Sequence, residues 1–164
     1  MKKIGILGSG VVATTLAGGF LKHGYQVYLG TGHPEKLSEW KTKQGENAMI
    51  ASFAEAAKFG ELLVLAVKGS AASAVLEIAG KENVKGKTII DTSNPIEAAP
   101  PVNGVLKYFT NINESLMEQL QKAYPDAHFV KVIQSTYSIT HLFTLDIHRF
   151  IVILGDQLSW CFKS

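Results

Sequence analysis

The chain has 164 residues, of which 46% are hydrophobic and 18% are charged, with 16 Lys plus Arg against 14 Asp plus Glu. This composition is typical of one compact domain with an apolar core and excludes a disordered chain. We do not expect nucleic acid or a membrane surface as a partner, because a net charge of +2 and no basic run longer than Lys2-Lys3 provide no cationic footprint. No apolar stretch approaches the ~20 residues of a membrane span, so we expect a cytoplasmic protein.

Strand-like and helix-like segments alternate from the first residue. Apolar residues at four-residue spacing predict the first helix, Gly24 ends it, and Ser52 with Glu55 predicts a capping box before a later helix. Repeated β-α units with short connections predict a doubly wound parallel sheet in three α/β/α layers. The predicted strands are 3–7, 26–29, 48–50, 61–67, 87–91 and 128–132, and the predicted helices are 11–23, 35–43, 53–59, 70–79 and 114–123.

A glycine-rich turn joins the first strand to the first helix. Its residues, Gly8-Ser9-Gly10-Val11-Val12-Ala13, fit the pattern G-x-G-x-x-A. Gly8 permits the tight turn, Gly10 lets the backbone approach a pyrophosphate, and Ala13 lets the helix pack close to the strand. The helix N-terminus then offers N–H groups to the anion. The turn predicts a nucleotide site; the alternative is that the glycines serve only a tight β-α turn.

The end of the second strand bears on the choice between NAD and NADP. An acidic side chain there would bind the ribose hydroxyls of NAD, but the strand tip at 29–32 carries none. Thr31 supplies a hydroxyl, and His33 and Lys36 could supply donors or charge to a 2′-phosphate. NADP(H) is therefore favoured over NAD(H). The alternative for His33 and Lys36 is that they are ordinary solvated residues of a loop and a first helical turn.

Two further strand ends carry residues of interest at the edge where ligands of doubly wound sheets bind. Val67 and Lys68 follow the central strand and could flank the ribose and nicotinamide. Asn94 and Pro95 follow the next strand and could shape a nicotinamide pocket. The alternative is that residues 91–93 only cap a turn and that Pro95 only breaks the strand.

No catalytic residue can be assigned from the sequence. There is no Cys-His pair, no G-x-S-x-G turn and no Cys/His set with metal-ligand spacing, so we expect no metal. Hydride transfer needs no protein acid or base when the acceptor is itself a cofactor, because positioning then carries most of the catalysis. The scarcity of catalytic groups is compatible with a reductase that moves hydride between two cofactors.

Five motifs occur together in residues 1–132. They read KIGILGSGVV at 3–12, GTGHPEKL at 30–37, FAEAA at 53–57, VLAVKG at 64–69 and DTSNPI at 91–96. Together they resemble bacterial relatives of the deazaflavin-dependent NADP reductase family. The resemblance implies a Rossmann domain over 1–132 that binds NADP(H), with a deazaflavin or flavin-like co-substrate. It also implies the positions of the site residues: Gly8 to Val12 on the pyrophosphate, Thr31 and its neighbours on the 2′-phosphate, Val67 and Lys68 beside the ribose, and Asn94 and Pro95 near the nicotinamide.

Two features depart from the family pattern. Family members often have an arginine where this chain has Gly32, and a Phe-Asn-Ser stretch where it has Ile133-Gln134-Ser135. Residues 133–164 contain no alanine, against 16 in residues 1–132. One base inserted ahead of Phe-Asn codons can give Ile-Gln, so one hypothesis is a frameshift that makes 133–164 a divergent tail. Otherwise the tail is a final β-rich segment with a strand at 150–154, and a homodimer is expected only if the tail permits it.

Three functions follow from these observations. The leading one is an NADP(H)-binding oxidoreductase that moves hydride between nicotinamide and a deazaflavin, a flavin-like compound or a small organic acceptor. The second is a truncated dinucleotide-binding module without turnover. The third is an imine reductase of the pyrroline-carboxylate type. Turnover with a deazaflavin would separate the first from the others, and binding without turnover would select the second.

Overall fold

The computed structural model describes residues 2–132 and 152–154. Within them, six parallel strands form the sheet and a seventh strand pairs antiparallel with the sixth. The spatial order is β3-β2-β1-β4-β5-β6-β7, which confirms the predicted doubly wound α/β fold. The strands are β1 Lys3–Leu7, β2 Gln26–Gly30, β3 Ala48–Ala51, β4 Leu62–Leu65, β5 Thr88–Asp91, β6 His128–Val132 and β7 Val152–Leu154.

Six helices lie in the described part of the chain. They are α1 Val11–Lys22, α2 Ser38–Thr42, α3 Phe53–Phe59, α4 Gly69–Ala79, α5 Lys81–Val84 and α6 Leu116–Ala123. The prediction of one helix over 35–43 was wrong, because a 3-10 turn at Pro34–Leu37 precedes the short α2. The prediction also missed α5, whose four residues are too few to show a helical period.

Alternating strand residues pack into two apolar clusters, one on each face of the sheet. β4 contributes Leu63 and Leu65 to one cluster and Val64 to the other. The first cluster is completed by α3, α4 and α6, and the second by α1. α1 approaches the sheet through Ala13 and Ala17, which are fully buried. The bulkier residues that predicted this helix are only partly buried beside them.

The six parallel strands end at one edge of the sheet, called here the carboxyl edge. β1 and β4 are neighbours at the centre of the sheet, and the chain builds outward from them in opposite directions. In doubly wound sheets such a switch point leaves a crevice outside the strand ends. α1 begins beside the end of β1 and α4 beside the end of β4, so both helices start at this crevice.

The connection after β5 forms a hairpin over residues 95–109. Its tip is a two-residue turn in which Asn103 has φ 51° and Gly104 has φ 77°, as the Asn-Gly sequence favours. The N–H groups of Val102 and Val105 donate to each other's carbonyl oxygens at 3.1 and 3.0 Å. At the base of the hairpin, the N–H of Phe109 donates to the carbonyl oxygen of Pro95 at 2.9 Å. The hairpin therefore rises directly from the carboxyl edge.

Residues 133–151 and 155–164 lie outside the described residues, and so does the sequence change on which the frameshift hypothesis rests. The strand predicted at 150–154 is present as β7 over Val152–Leu154. In the part of the chain that the structure describes, no helix has the length and apolarity needed to cross a membrane.

Candidate functional site

The two glycines of the first turn differ in what their surroundings allow. Gly8 has φ 141°, and a Cβ there would collide with the carbonyl oxygen of Ala66, so the protein's own packing requires glycine. Gly10 has φ −77°, and a Cβ there would meet no atom within 4 Å. Contacts within the described residues therefore do not explain why position 10 is a glycine. It leaves an open cradle at the start of α1, which fits a ligand that approaches the backbone closely.

The N-terminus of α1 faces this cradle. Gly10 is the N-cap residue and has no side chain to accept a hydrogen bond from the first turn, and that turn contains no acidic residue. Val11 is 80% exposed. The first N–H groups of a helix have no partner within it, and the aligned peptide dipoles make this end positive. The arrangement is suited to an anion such as a pyrophosphate.

The end of β2 is tied to the glycine turn. The N–H of Gly8 donates to the carbonyl oxygen of Gly30 at 3.0 Å. The hydroxyl of Thr31 donates to Ser9 Oγ at 3.0 Å and accepts from the N–H of His33 at 3.0 Å. Thr31 is only 6% exposed, so its side chain connects the two loops. Its contact with a 2′-phosphate stays a prediction.

His33 and Lys36 lie beyond this connection and are both exposed. His33 Nδ1 is 3.3 Å from Glu35 Oε1, and both side chains are about two-thirds exposed. The imidazole of His33 could donate a hydrogen bond to a phosphate, and the carboxylate of Glu35 would compete for that donor. Lys36 lies in the adjoining 3-10 turn. These two residues form the outer, solvated end of the site.

The end of β4 lies against the glycine turn from the other side. A Cβ on Gly8 would be 3.3 Å from Val67 Cγ1, so the partly buried Val67 borders the turn. Lys68 is the N-cap residue of α4 and is exposed, and α4, like α1, has neither a capping side chain nor an acidic residue in its first turn. A second uncapped helix start therefore lies beside the first.

The end of β5 carries Asp91, which is fully buried. Its Oδ1 accepts from the N–H and the hydroxyl of Ser93 at 2.8 and 2.6 Å, so the turn that we considered as the alternative is present. The next residue, Asn94, is exposed, and its carbonyl oxygen lies against Gly69, where a Cβ would collide with it. Pro95 then begins the hairpin. The chain therefore has both the turn at residues 91–93 and Asn94 and Pro95 at the crevice.

Sequence reasoning missed two residues of this edge. Lys131 Nζ is 3.1 Å from Asp91 Oδ2 and also donates to the carbonyl oxygen of Ser93. The hydroxyl of Thr92 donates to the carbonyl oxygen of Leu65 at 3.0 Å and extends the pairing of β5 with β4. The signal in the sequence was a lysine placed between apolar residues, Val130 and Val132, in a predicted strand.

The predicted site residues thus fall into an inner and an outer group. Thr31 is hydrogen-bonded to Ser9 of the glycine turn, and Val67 borders that turn at Gly8. Asn94 lies against Gly69 at the start of α4, whereas His33 and Lys36 are exposed beyond Thr31. Among the described residues no cluster of His, Cys, Asp or Glu could hold a metal ion. The edge can bind an extended anionic ligand and position one end of it near Asn94.

A sequence profile of the family described as NADP oxidoreductase, coenzyme F420-dependent, matches residues 3–95. A solved structure from Arthrobacter sp. FB24, provisionally assigned as an F420-dependent NADP reductase, superposes with a TM-score of 0.73 at 32% identity. That match covers 80% of this chain and 62% of the other. The family resemblance identified from the sequence motifs is confirmed.

Two further proteins are more distantly similar. Rattus norvegicus metalloreductase STEAP3 is 27% identical over 162 residues, which cover 96% of this chain and 30% of the rat protein. An imine reductase of Bacillus cereus superposes with a TM-score of 0.59 at 21% identity, over 80% of this chain and 40% of the other, and at that identity it shows the fold alone. This chain therefore spans less than two-thirds of the Arthrobacter protein and less than a third of the rat protein.

Proposed function

This chain belongs to the coenzyme F420-dependent NADP oxidoreductase family, and on that premise we propose that it binds NADP(H) along the carboxyl edge and transfers hydride to or from a second compound. The family is one of NADP-dependent oxidoreductases. The acceptor that we propose is a deazaflavin, a flavin-like compound or a small organic molecule. When bound, the nicotinamide supplies or receives the hydride, and the residues of this chain bind and orient it.

The open cradle at Gly10 carries the proposal. It combines space that no described protein atom fills with a helix start that no side chain caps. A tight β-α turn alone would need Gly8, whose Cβ position is blocked, but it would not need Gly10. The pair of glycines is therefore better explained by a pyrophosphate than by the turn.

The assignment of the remaining residues follows the direction of the edge. Gly8, Ser9, Gly10, Val11 and Val12 would hold the pyrophosphate. The preference for NADP(H) would come from a phosphate near Thr31, to which the side chains of His33 and Lys36 could donate hydrogen bonds. Val67 and Lys68 would border the ribose, and Asn94 with Pro95 would border the nicotinamide.

The hairpin over 95–109 supports an apolar acceptor. It rises from Pro95, and Val105, Tyr108 and Phe109 on it are between 41% and 64% exposed. An apolar surface that starts beside the proposed nicotinamide position suits a planar ring system such as a deazaflavin. We propose that this ring lies between the hairpin and the nicotinamide.

The experiment that tests the proposal titrates the 164-residue chain separately with NADPH and NADH and follows the fluorescence of the reduced nicotinamide. We expect NADPH to bind at least about tenfold more tightly, because only its 2′-phosphate can form charge-assisted hydrogen bonds near Thr31. Absorbance of a deazaflavin mixed with the NADPH complex then reports turnover. If neither nucleotide binds, the proposal is wrong.

A second candidate function is a binding module that holds NADP(H) without turnover. It is the second function expected from the sequence, in which no catalytic residue can be assigned. Tight NADPH binding with no hydride transfer to deazaflavins, flavins or imines would select this function over the first. A homodimer and a cytoplasmic location stay predictions, and the first can be tested by light scattering of the purified chain.

A further inference from the structure

A buried ionic cluster lies at the carboxyl ends of β5 and β6. The carboxylate of Asp91 has no exposed surface, and Lys131 is directly opposite it in the parallel register of the two strands. Lys131 Nζ lies 3.1 Å from Asp91 Oδ2, and its side chain is 25% exposed. No other described ion pair has a fully buried member. The cluster therefore stands apart from the solvated pairs of the surface.

Stability alone is a weak reason for such a pair. Desolvation of two charges offsets most of their attraction, and apolar residues of similar volume commonly serve a core as well or better. The pair also fixes the backbone that follows β5, because its hydrogen bonds extend to Ser93. Asp91 Oδ1 holds the N–H and the hydroxyl of Ser93, and Lys131 holds the carbonyl oxygen of Ser93.

The segment that this cluster fixes leads directly to Asn94 and Pro95. Both the N–H and the carbonyl oxygen of Ser93 are hydrogen-bonded by the cluster. On the opposite side, the carbonyl oxygen of Asn94 packs against the backbone of Gly69, where no side chain could be accommodated. The backbone at residues 93–94 is thus held from β6 on one side and from the start of α4 on the other.

We propose that Lys131 is a positioning residue for the nicotinamide end of the cofactor, acting through Ser93 on Asn94 and Pro95. The inference rests on the proposed function, because the nicotinamide is assigned to this end of the edge there. Lys131 itself does not take part in the hydride step. Its ammonium group, paired with Asp91, keeps the segment at residues 93–95 in one conformation, which reduces the ordering that binding requires.

The test compares two ligands on the full chain: NADPH, followed by its fluorescence, and adenosine 2′,5′-bisphosphate, which lacks the nicotinamide, followed by calorimetry. Lys131→Met should weaken NADPH binding about tenfold, the cost of ordering the backbone of about one further residue on binding, and leave the bisphosphate within about twofold. Lys131→Arg keeps the charge and should lie between Lys131→Met and the wild type. Equal weakening of both ligands, or no weakening of either, would overturn the proposal.

Two further variants separate positioning from folding. Lys131→Met leaves a buried carboxylate unpaired, so the double variant Asp91→Asn with Lys131→Met removes that charge while an oxygen is retained for Ser93. It should reproduce the selective loss of NADPH affinity. Lys87→Met is the matched control. Lys87 precedes β5, far from the carboxyl edge, and donates to the carbonyl oxygens of Ala57 and Lys58 in α3. This variant should lower the melting temperature and leave both affinities unchanged.

Failure of the proposed function would be seen in a different measurement. If the wild-type chain binds neither NADPH nor the bisphosphate, the cofactor site itself is wrong and this inference is overturned with it. If the wild type binds both and the variants show no selective loss for NADPH, only the role of Lys131 is wrong. The two outcomes are therefore distinguishable before any acceptor is known.

Discussion

Of the described helices, α1, α3, α4 and α6 begin at the carboxyl edge in two different ways. α3 and α6 have complete capping boxes: Ser52 and Glu55 exchange hydrogen bonds in one, and Ser115 and Glu118 in the other. α1 and α4 have no capping side chain and no acid in their first turns. The capped helices are connected to the outer parallel strands β3 and β6, whereas the uncapped ones follow the central strands β1 and β4.

The difference indicates where the edge is completed by the protein and where it is left for a ligand. A capping box satisfies the first N–H groups with a serine oxygen and places a carboxylate at the positive helix end. At α1 the same groups face the cradle of Gly10, where a Cβ would meet no atom of the described residues within 4 Å. The start of α1 can therefore accept an anion, and the starts of α3 and α6 cannot without displacing their own carboxylates.

The largest expected effect comes from converting α1 into a capped helix. Gly10→Asp fills the cradle and places a carboxylate where the pyrophosphate is proposed, so NADPH affinity should fall about a hundredfold, or about 2.7 kcal/mol. The free energy of unfolding should stay equal or rise by a few tenths of a kcal/mol, because Asp is a better N-cap than Gly. Fluorescence titration and urea unfolding measure the two quantities.

The matched control for that change is Gly45→Asp. Gly45 is exposed in the loop before β3, and a Cβ there would also meet no atom within 4 Å. It adds the same charge away from α1 and should leave NADPH affinity within about twofold. Equal losses in the two variants would mean that overall charge, and not the α1 start, determines binding.

A smaller effect is expected at the outer, solvated end of the site. Lys36→Ala should weaken NADPH binding about tenfold and leave NADH unchanged, because only the 2′-phosphate would contact this lysine. Lys22→Ala removes an exposed lysine in the last turn of α1, at the opposite end of that helix, and serves as the control. Parallel losses of NADPH and NADH in Lys36→Ala would contradict the assignment of the 2′-phosphate.

The capped helices should respond in stability and not in binding. Ser115→Ala should lower the free energy of unfolding by about 1 kcal/mol, since it removes the oxygen that accepts from the N–H of Glu118 at 3.2 Å. NADPH affinity should not change. Ser73→Ala, at an exposed position inside α4, should leave stability within about 0.5 kcal/mol and is the control, measured by urea unfolding.

The smallest expected effect is a pH dependence of the same boxes. Hydrogen bonds from Ser52 and Ser115 lower the pKa of Glu55 and of Glu118 below the ordinary value of 4.5. In acid the unfolded chain then binds more protons than the folded one, so this contribution is present above pH 4.5 and is lost as the pH falls through the folded pKa.

Urea unfolding of Glu118→Gln measures that contribution. The variant keeps an oxygen for the box but cannot titrate, so its stability should fall less steeply than that of the wild type below about pH 4.5. Glu39→Gln in α2 is a control at an exposed carboxylate outside the capping boxes. An acid dependence unchanged in Glu118→Gln would show that Glu118 does not contribute to it.

Local sequence was enough for much of the fold. β1, α3 and β6 have the predicted bounds, and the capping box at Ser52 and Glu55 is present, because each is defined by residues within a few positions of one another. The short α5 was not predicted, and neither was the division of residues 34–42 into a 3-10 turn and α2, since four or five residues carry little periodic signal.

The features of the candidate site can likewise be separated into those that local sequence predicted and those that depend on the tertiary structure. The sequence by itself determined the alternation of strands and helices, the glycine turn after β1 and the family to which its motifs point. Only the tertiary structure decided that Gly8 is blocked by Ala66 while Gly10 is open, and that Lys131 faces Asp91. These relations join residues on separate strands, and strand order and register, which no local pattern encodes, determine which of them meet.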